Sequence, residues 1–500
     1  MEQGASSNGS GRSGLLRKFK LFFLRHTRPP LEERDRYDYE FANSTSFHGM
    51  HNLVRKRSKI HRTLWTLVVI GSVIIVTWQI CTRFINYLSW PTTTSVTVQY
   101  VENIEFPAVT FCNLNRFQTQ AVANLSVIFF LWSIVSTVLH VSTSENNSKI
   151  AQEIADFLQL HQNFSIKEFT RNNGFYLDNS TLLSCDFFGK PCYPEDFEHV
   201  FTEYGNCFTF NHDGAPAKKK VSVSGRGLSL LFDIKQSVFT DDPYLGFVDA
   251  GITFVVHSPK EPPQFDGLGL STPIGMHAHT SIRQLKTLIQ EHPWGECNPS
   301  LKLKFHKVYS TYGCLQECKA KYIKKHCGCL PFLLPGNGTE CDLEKLYKCV
   351  SPALDIIEKM GICSIGRHNS TCPVPCEETD YPAAVTYSTF ASKSALKLLS
   401  SKLRKSIEYI RNNLVHIDVR YHDLNYKMTQ QQKALTTTEL LADVGGQLGL
   451  FCGASVITVI EILEYLFTNL FWMCLFLLTK TPQNSQRSAT PQYKKEVQEC

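Results

Sequence analysis

Leu440-Leu-Ala-Asp-Val-Gly-Gly-Gln-Leu-Gly-Leu-Phe-Cys-Gly-Ala-Ser455 opens an apolar stretch that runs on to Leu478, and its reading decides the fold. At some thirty-nine residues it far exceeds the roughly 20 that a helix needs to cross ~30 Å of hydrocarbon. It also carries residues that a lipid-facing anchor avoids: Asp443, Gln447, Glu461 and Glu464, a glycine-rich start at Gly445, Gly446 and Gly449, and a central Gly453-Ala454-Ser455 triplet. A carboxylate at mid-membrane costs on the order of 3 kcal/mol, so such groups face a protein interior or a water-filled path. Glu461 and Glu464 are three apart and share a helix face. They are either cation attractors along a pore or markers of the helix end at the headgroups. The triplet is either a close-packing surface between helices or a break that brings backbone carbonyls to an ion.

Far upstream, Leu64 to Cys81 (LWTLVVIGSVIIVTWQIC) is uncharged and followed by Phe84, Tyr87 and Trp90, which reads as a second membrane span. It starts too deep in the chain for a cleaved leader. Arg55, Lys56, Arg57, Lys59 and Arg62 precede it, whereas only Arg83 follows before Arg116, and this bias puts the N-terminus in the cytosol. The expected organisation is a cytosolic region 1–62, a first membrane helix 63–90, an extracellular domain 91–438, a second, pore-lining helix 439–479 and a cytosolic tail 480–500. Val127 to Val141 is also apolar, but it is short for a span and contains Ser133, Ser136 and His140, so a buried helix of the extracellular domain is preferred to a third crossing.

Cysteine placement gives an independent reading of topology, because disulfides persist outside the cell. Of eighteen cysteines, Cys81, Cys452, Cys474 and Cys500 fall in or beyond the membrane segments. The other fourteen lie between them, enough for seven disulfides, and ten crowd between Cys297 and Cys376. A zinc site around Cys314, Cys318, Cys327 and Cys329 is the weaker alternative, since these lack a paired Cys-x-x-Cys pattern. Spacing alone does not choose the pairing. Glycosylation acceptors at Asn124, Asn146, Asn163, Asn179, Asn337 and Asn369 agree with an extracellular domain, although Asn8 and Asn43 match the same pattern in the cytosolic part. Helical patterning at Leu315–Lys325 and Leu343–Val350 marks 297–376 as a stapled, thumb-like lever. Alternation at Ser95–Val101, Ala108–Phe111, Cys207–Phe210, Ile252–His257 and His416–Tyr421 marks strands leading into both membrane helices. The fold class is a membrane protein of the α+β kind, two helices flanking a disulfide-rich mixed domain.

The net charge of +6 is modest and scattered, which leaves no footprint for nucleic acid. No phosphate loop, zinc-hydrolase helix or serine elbow stands out, so no enzyme class suggests itself.

Several motifs together resemble the epithelial sodium channel/degenerin family, in its acid-sensing branch. They are His48-Gly49 before the first helix, Phe106-Pro-Ala-Val-Thr-Phe-Cys-Asn-Leu-Asn115 after it, Gly205-Asn-Cys-Phe-Thr-Phe210, the cysteine-rich block, and the Leu440–Ser455 stretch. The resemblance implies a plasma-membrane homotrimer with both termini cytosolic, at the apical face of epithelium. It would conduct Na⁺ in preference to K⁺, be blocked by amiloride, and need no cofactor. Besides membrane lipid, its implied ligands are bile acids or similar amphiphiles rather than protons, because Pro91-Thr-Thr-Thr94 stands where acid-sensing members carry a histidine pair.

By matching position, Gly453, Ala454 and Ser455 would form the selectivity filter, with Ala442 as the degenerin site and Asp443 as a pore-mouth acid. Glu461 and Glu464 would be inner-pore acids. His48 and Gly49 would be a gating motif folded back under the pore, although the pair could equally be an ordinary turn. Trp294 would couple the lever to the region above the first helix, unless it is merely packed. The family's order pairs Cys112 with Cys207, Cys185 with Cys192, Cys297 with Cys376, Cys314 with Cys372, Cys318 with Cys363, Cys327 with Cys349 and Cys329 with Cys341. The interval from Cys363 to Cys372 is longer than the family's usual one. Two other membrane classes share the two-helix topology. An ATP-gated purinergic-type channel would want an extracellular Lys/Arg cluster for the triphosphate. A scavenger-type lipid receptor would have no use for Glu461 and Glu464.

Overall fold

The computed structural model describes residues 31–55, 58–123, 147–215, 219–238, 249–366 and 370–479. The apolar stretch Val127–Val141, the acceptors Asn124, Asn146 and Asn369, and the tail 480–500 lie outside the described residues. The chain separates into two compact units, 1–91 with 435–500, and 92–434.

The first unit is helical. Leu31–Ser44 and the short Met50–Val54 precede the long Lys59–Leu88 helix. Ser58 caps that long helix, its hydroxyl accepting from the His61 N–H at 3.4 Å. Polar side chains within its apolar run are satisfied locally: the hydroxyls of Thr66, Thr77 and Thr82 each donate to the carbonyl four residues back at 2.8 Å. The downstream stretch forms two helices, Thr437–Cys452 and Val456–Thr479. A capping box starts the first, with Glu439 N–H donating to the Thr436 hydroxyl at 3.3 Å and Thr436 N–H donating to the Glu439 carboxylate at 2.7 Å. Lys59–Leu88 and the part of the last helix from Val456 to Cys474 are each long and apolar enough to cross a membrane.

The second unit is built on β1 (Thr92–Tyr100), β2 (Ile104–Glu105), β3 (Ala108–Asn113), β4 (Leu182–Phe187), β5 (Lys190–Pro191), β6 (Phe197–Thr202), β7 (Gly205–Phe210), β8 (Lys220–Val221) and β9 (Gly227–Asp233). It continues with β10 (Gly251–His257), β11 (Leu270–Pro273), β12 (Met276–Leu288), β13 (Ile365–Gly366), β14 (Cys372–Pro373), β15 (Glu377–Asp380), β16 (Ala383–Thr389) and β17 (Leu414–Lys433). One sheet runs β15-β12-β17-β9-β4-β5, with β1 added on β17 and β16 on β12; a second runs β11-β10-β3-β7-β6. The core draws on both. Phe106, Phe111, Phe210, Phe232, Phe254 and Tyr421 are all but inaccessible to solvent. Phe111 meets Phe232 at 4.6 Å between ring centroids and Phe106 meets Phe187 edge-on at 5.1 Å, geometries that each add about 0.5–1.5 kcal/mol beyond burial.

The twenty-residue β17 is the spine of this unit, antiparallel to β1 and parallel to β12. Its first half is buried and its second half partly exposed, so only His416–Tyr421 shows strand patterning in the sequence.

Seven disulfides join Cys112–Cys207, Cys185–Cys192, Cys297–Cys376, Cys314–Cys372, Cys318–Cys363, Cys327–Cys349 and Cys329–Cys341, the pairs that the family resemblance implies. No thiolate among them is left for zinc. Five of the seven hold the segment whose helices are Thr311–Cys327 and a run from Leu343 through a π turn at Leu346–Val350 to Met360. The core beneath these helices is small, built from Ile154, Phe157, Ile166, Ile323, Leu343, Leu346 and Val350 with the Cys329–Cys341 cystine. Covalent staples of about 2–4 kcal/mol each replace what so small a core cannot supply.

Candidate functional site

Gly453, Ala454 and Ser455 are the non-helical residues between the two downstream helices. The break follows from local chemistry. Gly453 takes a left-handed backbone at φ 63°, which terminates the first helix, while its N–H still donates to Gly449 O at 3.0 Å. Ser455 restarts the next helix: Thr458 N–H donates to its hydroxyl at 3.3 Å, and Ser455 N–H donates to Thr458 Oγ1 at 2.9 Å. Ala454 N–H donates to Leu448 O at 3.2 Å. Ala454 is buried with Cys452 and Val76, whereas Ser455 is exposed.

His48 and Gly49 sit against this break. His48 N–H donates to the Cys452 carbonyl at 2.8 Å, filling an acceptor that the helix end leaves open. Its ring occupies the space beside Gly453, where any Cβ would overlap the imidazole. Gly49 adopts φ 91° and starts the Met50–Val54 helix. The turn before it reaches further along the last helix. Thr45 Oγ1 donates to Glu461 Oε2 at 3.3 Å, Ser46 N–H donates to the same oxygen at 3.4 Å, and the Ser46 hydroxyl touches that of the buried Thr458. Tyr465 OH donates to Asp38 Oδ1 at 2.7 Å, and its ring stacks on Phe41 at 4.1 Å. Thr45, Ser46, His48, Trp65, Phe451 and Gly453 border a cavity of about 560 Å³.

The other sequence-derived positions of this unit fall into two groups. Ala442, Gly446 and Gly449 are exposed and follow one another at helical spacing, forming a stripe of small residues that ends at Gly453. Asp443 lies off that stripe and pairs with Arg83, 360 residues upstream, at 3.6 Å, a contact that no sequence pattern signals. Glu464 is exposed, with Leu463 and Phe467 beside it. Although three apart, the two glutamates therefore differ, Glu461 being held by the upstream turn.

In the second unit, Trp294 carries the Lys433 ammonium 3.6 Å from its ring centroid. It borders a cavity of about 400 Å³ shared with Thr94 of β1 and Thr429 and Gln431 of β17. Of the glycosylation acceptors, Asn163, Asn179 and Asn337 are exposed. A separate cavity of about 280 Å³ gathers Glu105, Asp213, Glu261 and Glu377 with Lys219, Lys260 and Lys286. Burial pushes the Glu261 carboxyl up to about 7, with Glu378 and then Asp380 adding repulsion. Burial raises the Glu378 and Asp380 carboxyls as well.

Residues 41–465 match the family described as amiloride-sensitive sodium channel. The chain is 63% identical to a human protein named bile acid-sensitive ion channel, the alignment covering 100% of both chains. It is 60% identical to a rat protein of the same name over 98% of this chain and 100% of that one. Acid-sensing ion channel 1 of chicken is 33% identical over 85% of this chain and 82% of its own. Among solved structures, a proton-activated chloride channel aligns at a TM-score of 0.30 and 9% identity over 83% of this chain and 98% of that one, too slight a likeness to bear on fold or function.

Two outcomes follow from this geometry. Gly453→Ala lowers the thermal midpoint of the detergent-solubilised chain, through a left-handed backbone costing about 1–2 kcal/mol plus the overlap with His48. Adding His48→Ala recovers the overlap part only; an equal loss in both backgrounds would remove the His48 contact from the account. For Glu261, the folded-state value lies above the unfolded one, so folding takes up a proton between them, and stability falls as pH rises from about 4.5 through about 7. Glu261→Gln therefore stabilises the chain at pH 7.5, by up to roughly 3 kcal/mol, and flattens its melting profile over that range. An unchanged profile would contradict the burial of this carboxyl.

Proposed function

The chain belongs to the amiloride-sensitive sodium channel family, the epithelial sodium channel/degenerin group, and from that premise we propose that it is a sodium-selective, amiloride-blocked cation channel opened by bile acids or related amphiphiles rather than by protons. The observation that carries the pore reading is the break at Gly453–Ser455 within the downstream apolar stretch. Non-helical backbone at membrane depth survives only inside protein or along water. Three copies assembled as a homotrimer in the plasma membrane would turn their Ala442, Gly446 and Gly449 stripes to a common axis, small side chains allowing close approach. Gly453, Ala454 and Ser455 then form the selectivity filter, their carbonyls and small side chains standing in for part of the hydration shell of Na⁺.

Ala442 and Asp443 stand at the pore mouth, with Arg83 holding the Asp443 carboxylate. Glu461 and Glu464 raise the local cation concentration below the filter. His48 and Gly49 gate by bracing the break, which is supported by the His48 N–H on Cys452 O and the ring beside Gly453. Trp294, under Lys433 and beside β1 and β17, passes movement of the stapled segment 297–376 to the strands that continue into the two membrane helices.

Both termini lie in the cytosol, with segments 1–62 and 480–500 inside, 91–438 outside and the helices 63–90 and 439–479 between. The basic run before the first helix and the seven disulfides support this topology. Membrane lipid contacts the exposed apolar faces of the long helices, and the acceptor asparagines outside carry glycans. An apical position in epithelium suits uptake of Na⁺. The bile-acid reading draws on the names of the human and rat relatives.

Whole-cell recording of this chain expressed alone decides the stimulus. Bile acids evoke an inward Na⁺ current that amiloride abolishes, and a step to acid evokes none; an acid-evoked current with no bile-acid response would overturn the gating assignment. In the same cells Ala442→Thr raises resting current several-fold, whereas silent currents at normal surface expression would remove Ala442 from the pore mouth.

A further inference from the structure

A cluster of histidines and one aspartate on the main sheet of the second unit has no part in the channel reading above. β12 and β17 run parallel with His277 opposite His416 and His279 opposite Asp418, so the period-two alternation of two adjacent strands turns all four side chains to one face. The rings of His277 and His416 stack at 3.7 Å and those of His277 and His279 lie at 3.8 Å, with Phe390 standing 5.3 Å from His416. His277 Nε2 is 2.9 Å from Asp418 Oδ2, and His416 Nε2 is 3.6 Å from Asp418 Oδ1.

Asp418 is buried, its side chain only 2% exposed. Its Oδ1 has no hydrogen-bond donor, and neither does the buried Nδ1 of His416 have a partner. Orphaned polar atoms buried in one spot destabilise the fold unless something fills them.

We propose that His277, His416 and Asp418 form a binding site for a divalent transition metal of the zinc type. One donor atom from each of the three lies within 4.8 Å of the others. In a tetrahedral site with bonds of about 2.0–2.1 Å the donors stand roughly 3.3 Å apart; His277 Nε2 is 2.9 Å from Asp418 Oδ2 and His416 Nε2 is 3.6 Å from Asp418 Oδ1, so the carboxylate must turn for one oxygen to serve with both rings. Two imidazoles and a carboxylate suit zinc; calcium would want six or more oxygens.

The Arg420 guanidinium touches Asp418 Oδ2 from the solvent side and is about half exposed, so it can swing outward as the metal enters. The Ser229 hydroxyl, 3.0 Å from His416 Nε2 in the metal-free chain, yields that nitrogen to the metal as Arg420 yields Asp418. His279, held 3.0 Å from the Ser388 hydroxyl, leaves the fourth position to water.

The test is equilibrium dialysis of the purified full chain against micromolar free Zn²⁺, with bound metal counted by elemental analysis. One zinc per chain is expected. His277→Gln and His416→Gln each weaken binding on the order of tenfold or more, while His326→Gln, outside the cluster, leaves it unchanged. His277→Cys keeps the site and adds a thiolate charge-transfer band when Co²⁺ replaces zinc, a readout that stands even if one glutamine variant folds poorly. No zinc bound by the unmodified chain, or the same zinc bound by both glutamine variants, would overturn the site.

Discussion

Backbone hydrogen bonding at one point in the downstream apolar stretch constrains everything around it. A helix that stops and restarts in a membrane exposes N–H and C=O groups whose neglect costs several kcal/mol apiece. Here each of the three N–H groups from Gly453 to Ser455 finds an acceptor, two of them carbonyls of the preceding helix and one the Thr458 hydroxyl. The Cys452 carbonyl is taken by a residue 404 positions upstream, His48. The break is therefore a structure completed by a second segment of chain, and any displacement of the His48 turn must expose what it covers. Glu461, Thr458 and Tyr465 extend the same docking along the next helix.

The sequence made part of this legible. Length and misplaced polar residues identified the downstream stretch as more than an anchor, and Gly453-Ala454-Ser455 already stood out as a place where a helix could break. The ladder of contacts from residues 38–48 could not be read, because Asp38, Thr45 and Ser46 are ordinary surface types whose partners lie more than 400 residues away. The same limit hid the Arg83–Asp443 pair. Strands were legible where an apolar run is buried on both faces, as at Ile252–His257. They were missed along β12, which pairs with β17, β15 and β16, and along the half-exposed end of β17.

In the second unit, two kinds of cross-link carry different loads. Five of the seven disulfides fix the lever, and their abundance there follows from its thin core; the other two tie neighbouring strands, Cys112–Cys207 across β3 and β7 and Cys185–Cys192 beside β4 and β5. Their pairing rested on resemblance, since composition left it open. The His277–His416–Asp418 cluster is non-covalent and was invisible in the sequence for a simple reason: His-x-His at 277–279 and His-x-Asp at 416–418 are unremarkable alone, and only the parallel register of β12 on β17 superposes them. The cluster lies on the same two strands that, further along, border Trp294 and Lys433. A ligand there would stiffen the spine of the unit at the end away from Lys433.

The central claim is that the break in the downstream helix chooses the ion. Its most direct measurement is the reversal potential in Na⁺ and K⁺ solutions of the unmodified chain against Ser455→Cys, at matched surface expression. Ser455 is exposed at the break, so enlarging its side chain alters the path and weakens its own cap on Thr458 N–H while leaving the turn at Gly453 in place. The account predicts a reversal potential displaced toward that of a channel indifferent between the two ions. An unchanged permeability ratio, carried by a healthy current, would contradict it.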